Sequence, residues 1–223
     1  TVIRYEDLVR EGDHFVLPDG VEDAKNIHRQ GSDAAEGEEL ALAGSRIGGA
    51  VINLLAGCGY AEVRVKRFPY VAIVATGDEL VGVGETPLPH QIRMSNVFQL
   101  QHQLATGELQ AYTHHLADDK IELSAGIERL LADNDVLIFS GGVSKGKYDF
   151  LPEVLAALGV RKLFHGVAQR PGKPIWVGRT DDTMVFGLPG NPVSSLTGLL
   201  AYVGPFLRKN QGLAERVEMR VLA

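Results

Sequence analysis

An apolar run that ends abruptly at two glycines sets the terms for this chain. Residues 135–150 read D-V-L-I-F-S-G-G-V-S-K-G-K-Y-D-F. Val136 to Ser140 predict a buried strand, and Gly141, Gly142 and Gly146 predict a loop whose backbone can approach a ligand closely. Successive free N–H groups, the Ser144 hydroxyl, Lys145 and Lys147 would make that loop an anion cradle. Asp149 then opens a helix carrying Phe150, Val154, Leu155 and Leu158 on one side. Amid anion-binding groups its carboxylate suits a metal or a proton transfer, while capping the helix is its ordinary structural use. A strand followed by two glycines is often only a tight connection. Here a second such loop follows: residues 186–195 read F-G-L-P-G-N-P-V-S-S. Asn191 predicts an N-cap and Pro192 a first helical residue, with Val193, Leu196, Leu199, Leu200 and Val203 on the helix behind. The free N–H groups of that helix would face the same side as the first loop.

Between residues 67 and 208 the pattern strand–loop–helix recurs. Tyr70 to Thr76 is nearly all apolar, as a strand covered on both faces would be. A helix from Asn96 buries Val97, Leu100 and Leu104, and Leu109 to Leu116 supply another strand. Asp118 caps a helix carrying Leu123, Ile127, Leu130 and Leu131. Strands near 162–168 and 174–178 and a hairpin turn at Asp181-Asp182 complete the series. This alternation predicts an α/β fold, a doubly wound and mostly parallel sheet flanked by helices, with ligands at the carboxyl ends of the strands. Before it, residues 1–24 suggest one or two strands and residues 26–39 are polar and turn-rich. Ser45 could cap a helix with Ile47, Val51, Leu54 and Leu55, ended by Gly57 or Gly59, and Ala61 to Lys66 alternate as a strand.

Net charge is −6, which gives a nucleic-acid role no electrostatic support. The stretch 140–178 runs against that balance, with Lys145, Lys147, Arg161, Lys162, Arg170 and Lys173 facing only Asp149 and Glu153. A local basic site on an acidic protein suits a small anionic ligand. The single cysteine, Cys58, excludes an internal disulfide, fits a reducing compartment and is expected to pack. No apolar run approaches the roughly 18 residues of a membrane span and no signal peptide is visible, so a cytoplasmic protein without membrane or nucleic-acid partners is expected. The histidines lack metal-ligand spacing; His114 and His115 are expected to be structural or exposed, and a zinc site is not expected.

With S-G-G-V-S-x-G-x-Y-D-F (140–150), R-P-G-K-P (170–174), G-L-P-G-N-P-V-S (187–194), A-T-G-D-E-L-V (75–81) and S-N (95–96) present in this order, the chain resembles the MoeA/gephyrin family, the molybdopterin molybdenumtransferases. The resemblance covers residues 67–208 closely and 25–66 more loosely. It implies a molybdopterin-binding α/β domain over 67–208, with remnants of small β-containing domains at both ends. Residues 1–24 would be the remnant of an N-terminal domain, 25–66 part of a linking or dimerisation domain, and 209–223 the start of a C-terminal β domain. Family members are nearly twice as long, so a fragment is expected.

The activity implied is insertion of molybdenum from molybdate into adenylylated molybdopterin with release of AMP, assisted by Mg²⁺. The implied partners are a second copy in a homodimer and the adenylyltransferase that supplies the intermediate. The resemblance makes Asp149 a catalytic carboxylate, with Asp118 and Glu79 as catalytic or metal-binding acids. A cap at one of Asp118 and Asp119, and a solvated Glu79, are the structural readings. Pterin phosphate and adenylate would meet Thr76, Gly77, Asp78, Ser95, Asn96, Ser140, Gly141, Gly142, Ser144, Gly146, Pro189, Gly190, Asn191 and Pro192. Molybdate would meet Arg170, Lys173 and Ser194; Arg170 stands where the family more often has lysine, which keeps the charge and changes its geometry. The adenylyltransferase on the same fold is a further reading, opposed by the R-P-G-K-P and L-P-G-N-P-V-S pair. A non-catalytic pterin-binding scaffold is another, favoured by Lys145 and Lys147 where the family more often has an apolar and an acidic residue.

Overall fold

The computed structural model describes residues 1–17, 19–23, 26–143 and 150–212, which fall into two compact units divided between Val63 and Arg64. In the first, a 3₁₀ turn at Tyr5–Asp7 precedes the antiparallel pair β1 (Val9–Glu11) and β2 (His14–Val16), and α1 spans Gly49–Gly57. Helix α1 starts after Gly48 with no side-chain cap, so Ser45 does not cap it and Ile47 lies outside it. None of its residues is buried, and Cys58, expected to pack, is exposed.

The second unit holds the sheet. Its elements are β3 (Val71–Thr76), β4 (Leu80–Val81), β5 (Ile92–Arg93), α2 (Asn96–Ala105), β6 (Ala111–Leu116), α3 (Lys120–Asp133), β7 (Val136–Ser140), α4 (Leu151–Ala157), β8 (Arg161–His165), β9 (Trp176–Arg179), β10 (Met184–Leu188), α5 (Pro192–Gly198), a π-helical turn at Leu199–Val203 and α6 (Gly204–Asn210). Residues 61–66, expected to alternate as a strand, form no strand and join no ladder among the described residues. The main sheet runs β6-β3-β7-β10-β9-β8. Strands β6, β3, β7 and β10 are parallel, β9 is antiparallel to β10, and β8 is antiparallel to β9. The expected doubly wound, mostly parallel sheet is therefore present.

Alternation along β3 divides the core. Val71, Ile73 and Ala75 pack with Val97, Leu100 and Leu104 of α2 and with Leu199, Val203 and Leu207. Ala72 and Val74 face the other way, onto Leu123 and Ile127 of α3 and Leu151 and Leu155 of α4. Both faces are covered, which is why the strand reads as an unbroken apolar run. Of the apolar residues carried by the helix behind the second loop, Val193 and Leu200 are 64% and 51% exposed. Among the described residues no helix is long and apolar enough to cross a membrane.

An ion pair closes the amino edge of the sheet. Arg67 donates from Nη1 and Nη2 to the two carboxylate oxygens of Asp135 at 2.6 and 2.8 Å, and the Tyr70 N–H adds a third bond at 2.7 Å. The guanidinium also lies 4.9 Å from the centre of the Tyr70 ring. Hydrogen bonding from Arg67 is the main cause holding the Asp135 carboxyl below its ordinary value; partial burial opposes it and the Tyr70 amide adds to it. A folded pKa below the unfolded one means stability fully present above the unfolded value, about 4, and lost as pH falls through the folded value. Asp135→Asn should therefore lower the melting temperature at neutral pH, with the gap to wild type closing below about pH 4. A gap that stays constant with pH in thermal unfolding would assign the loss to something other than this carboxylate.

Candidate active site

Strands β3, β7 and β10 end side by side: Ala75 pairs with Ser140, and Ser140 with Leu188. The loops that follow surround a cavity of about 470 Å³. Thr76, Glu79, Ser95, Asn96, Asp118, Ser140, Gly141, Gly142, Pro189, Gly190 and Pro192 all line it. Sequence motifs far apart in the chain thus meet at the carboxyl ends of the strands, where doubly wound sheets bind ligands. A larger cavity of about 620 Å³ lies at the opposite edge, where Arg67 and Asp135 already satisfy each other. Chemistry favours the first cavity over the larger one.

The floor of the site is made of two hydroxyls. Thr76 and Ser140 are 6% and 5% exposed, and neither side-chain oxygen has a hydrogen-bond partner among the described residues. A buried hydroxyl left unpaired is costly, so two of them lining one cavity point to a polar ligand that completes them. Gly141 and Gly142 adopt φ of 109° and 69°. A methyl group on Gly142 would sit 2.8 Å from Thr76 Oγ1. That glycine therefore serves both the left-handed backbone and the close approach of the loop to the floor.

Hydrogen bonds hold the surrounding loops together. Asp78 Oδ1 accepts from the Asp118 N–H at 3.0 Å, and the His115 ring nitrogen Nε2 donates to the Gly77 carbonyl at 3.0 Å. Gly77 and Asp78 thus brace the cavity rather than line it. The Glu79 carboxylate folds back over Gly77, so closely that a methyl group there would lie 2.3 Å from Oε2. The Asn96 side chain donates to the Gly190 carbonyl at 2.7 Å, tying the start of α2 to the last loop. His165 Nε2 donates to the Val143 carbonyl at 3.1 Å, directly after the two glycines.

Asp119, not Asp118, caps α3: its Oδ1 accepts from the N–H groups of Ile121 and Glu122, both at 2.9 Å. The expected cap at Asp118 moves by one residue, and Asp118 lines the cavity with Glu79. Among the described residues no group of three or more His, Cys, Asp and Glu side chains gathers to hold a metal. Two carboxylates facing one cavity do fit Mg²⁺, which is usually held by one or two carboxylates together with substrate phosphates.

Arg170, Lys173 and Ser194 do not line the cavity. Both cations are exposed on the 170–174 turn, whose Arg170–Pro171 bond is cis. A methyl group on Gly172 would be 3.6 Å from the Ser194 carbonyl, so the turn lies against the start of α5. Asn191 caps α5 as expected, accepting from the N–H groups of Val193 and Ser194 at 3.1 and 3.2 Å. Pro174 and Pro192 belong to the cavity wall. The arrangement is a cavity of hydroxyls and carboxylates with a cationic shelf beside it. The expectations placed on Ser144, Lys145, Gly146, Lys147 and Asp149 lie outside the described residues.

Arg93 was not singled out in the sequence. It lines the cavity, and its Nε donates to the carbonyls of Val83 and Glu85 at 3.0 and 3.1 Å. Its only sequence signal is a cation just before Ser95-Asn96.

A family model described as "Probable molybdopterin binding domain" matches residues 72–209. The chain belongs to that family. The resemblance carried by the motifs is thereby borne out. Among curated relatives, a Synechocystis molybdopterin molybdenumtransferase is 40% identical over 206 residues, covering 90% of this chain and 53% of its own length. One from Bacillus subtilis is 38% identical, covering 82% of this chain and 43% of its own. The crystal structure of a molybdopterin biosynthesis MoeA protein from Pyrococcus horikoshii is similar with a TM-score of 0.76 and 32% identity, over 95% of this chain and 53% of that one. This molybdopterin-binding domain protein therefore spans about half the length of the curated relatives it matches.

Proposed function

We propose that this chain carries the site at which molybdenum from molybdate is inserted into adenylylated molybdopterin, with release of AMP. The observation that supports this reading most is the pair of unpartnered hydroxyls, Thr76 and Ser140, on the floor of a cavity beside a cationic turn. Phosphate oxygens of the pterin accept from those hydroxyls and from the loop at Gly141 and Gly142. Arg170 and Lys173, with Ser194, hold the molybdate dianion on the adjoining shelf, where two charges offset its desolvation better than one. Separate seats keep two anions close against their mutual repulsion. Glu79 and Asp118 would hold Mg²⁺, whose contribution is to polarise the phosphoanhydride that is cleaved. The same reading carries a homodimer, delivery of the intermediate by the adenylyltransferase, and a cytoplasmic setting.

The test is AMP release from adenylylated molybdopterin, measured by chromatography with and without molybdate. Release that depends on molybdate is expected, and release indifferent to molybdate, or no binding of the pterin at all, would refute the reading. Losing one charge-assisted contact costs ~1.5–3 kcal/mol, roughly ten- to a hundredfold in affinity. Lys173→Ala should raise the molybdate requirement by that factor and leave pterin affinity unchanged. A variant with wild-type molybdate dependence would remove the turn from the site.

A further inference from the structure

We infer that Tyr202 and Gln169 form a positioning pair that sets how tightly the 170–174 turn holds its oxyanion. The inference rests on the reading of that turn as the molybdate seat. The base of the turn is closed by backbone bonds, Val167 N–H to the Lys173 carbonyl at 2.9 Å and Gly166 N–H to the Ile175 carbonyl at 2.8 Å. Its tip is held by a side chain: Gln169 Nε2 donates to the Pro171 carbonyl at 2.7 Å. The other end of the same amide is fixed as well, because the Tyr202 hydroxyl donates to Gln169 Oε1 at 2.7 Å. The Pro171 carbonyl can only accept, so the amide has one orientation that serves both partners. A methyl group on Gly172 would lie 2.9 Å from Gln169 Nε2, so glycine at that position lets the amide cross beneath the turn.

The sequence explains why Tyr202 is there to meet it. Tyr202 lies in the π-helical turn Leu199–Val203, closed by the Gly204 N–H bonding to the Leu199 carbonyl. Pro205 follows at once, and its ring cannot continue an α-helical ladder: it lacks an N–H and crowds the carbonyl four residues back. The wider turn relieves that conflict, and such bulges occur often at functional sites. Tyr202 is half-buried, with its ring 6.5 Å from that of Phe164 and its hydroxyl on the amide. One side of the turn is thus tied to the π-turn through Gln169, while Gly172 rests against Ser194 on α5. Arg170 and Lys173 are exposed, and ordering the backbone that carries them lowers the cost of gathering two cations round one anion.

Equilibrium dialysis of molybdate against the purified protein tests this without requiring turnover. Tyr202→Phe and Gln169→Leu should each weaken molybdate binding about 3- to 10-fold, the scale of one ordinary hydrogen bond. Affinity for adenylylated molybdopterin should be unchanged in calorimetry. The double variant should be no weaker than the worse single one, because both changes break the same chain of bonds. Unchanged molybdate binding in Tyr202→Phe, effects that multiply in the double variant, or equal loss of pterin binding would overturn the inference. Lys173→Ala in the same assay separates the two levels. If it weakens molybdate binding and Tyr202→Phe does not, the positioning role alone fails. If Lys173→Ala binds as wild type does, the molybdate seat fails and the inference with it.

Discussion

Gly187→Ala is expected to lower the melting temperature by on the order of 5–10 °C, a large effect for one methyl group. Gly187 is buried in β10 between β7 and β9, in the middle of the sheet. Its added Cβ would fall 2.2 Å from Val143 Cγ1 and 3.3 Å from Trp176 Cβ. Both neighbours are only 1% exposed, so neither can swing into solvent. Close-packed interiors meet such an intrusion by backbone shifts costing ~1–3 kcal/mol. Val143 directly follows Gly142, so the displaced side chain should also disturb the loop over the site floor. Val143→Ala removes the obstructing methyl groups. The double variant should therefore be more stable than Gly187→Ala alone, a coupling that independent sites do not show. Thermal unfolding of the four proteins checks this, and simple additivity would show that the contact is relieved elsewhere.

The second large effect concerns turnover. Asp118→Asn should cut AMP release by roughly 100-fold or more, the usual scale for a catalytic acid or base, while pterin affinity changes less than about threefold. The substitution is nearly isosteric, and the Asp118 backbone N–H keeps its bond to Asp78 Oδ1. Asp119 supplies the α3 cap, so the helix start is not put at risk by a change at Asp118. Asp119→Ala is the natural contrast: it should cost about 1 kcal/mol of stability through the lost cap and leave turnover per folded molecule intact. Equal losses of binding and turnover in Asp118→Asn would make it a binding group. Loss of turnover in Asp119→Ala instead would exchange the two assignments.

What the sequence made legible was governed by local signals that the fold does not contradict. The apolar run at β3, the halt at Gly141-Gly142 and the Asn191-Pro192 helix start all stand where the sequence placed them. Each depends on burial or on backbone chemistry within a few residues. The failures depend on partners. Residues 61–66 alternate properly, but a strand needs a neighbour to bond with and none is offered among the described residues. Leu200 stands seven residues after Val193, on the same helical face, and both are exposed, so the stripe counted from Val193 is the outer one. Arg93 reaches the cavity because two two-residue strands, β4 and β5, pair with each other, a contact too short to leave a pattern in the sequence. For the acidic pair at 118–119, composition cannot say which residue faces the helix N–H groups; only the backbone torsions decide that.

The floor and the shelf of the site stand in different relations to the rest of the molecule. Thr76 and Ser140 terminate β3 and β7, whose residues are all buried, so the position of those hydroxyls depends on the sheet itself. The 170–174 turn is anchored by a few half-exposed bonds and can loosen by itself. On the proposed reading, damage to the core away from the Gly187–Val143 contact will consequently behave as a loss in the number of competent molecules, each survivor retaining its normal pterin seat. On the same reading, damage to the turn will leave every molecule folded but holding its oxyanion less tightly. The two halves of the site can therefore drift apart in evolution, the floor held by the demands of folding and the shelf free to be retuned for another tetrahedral anion.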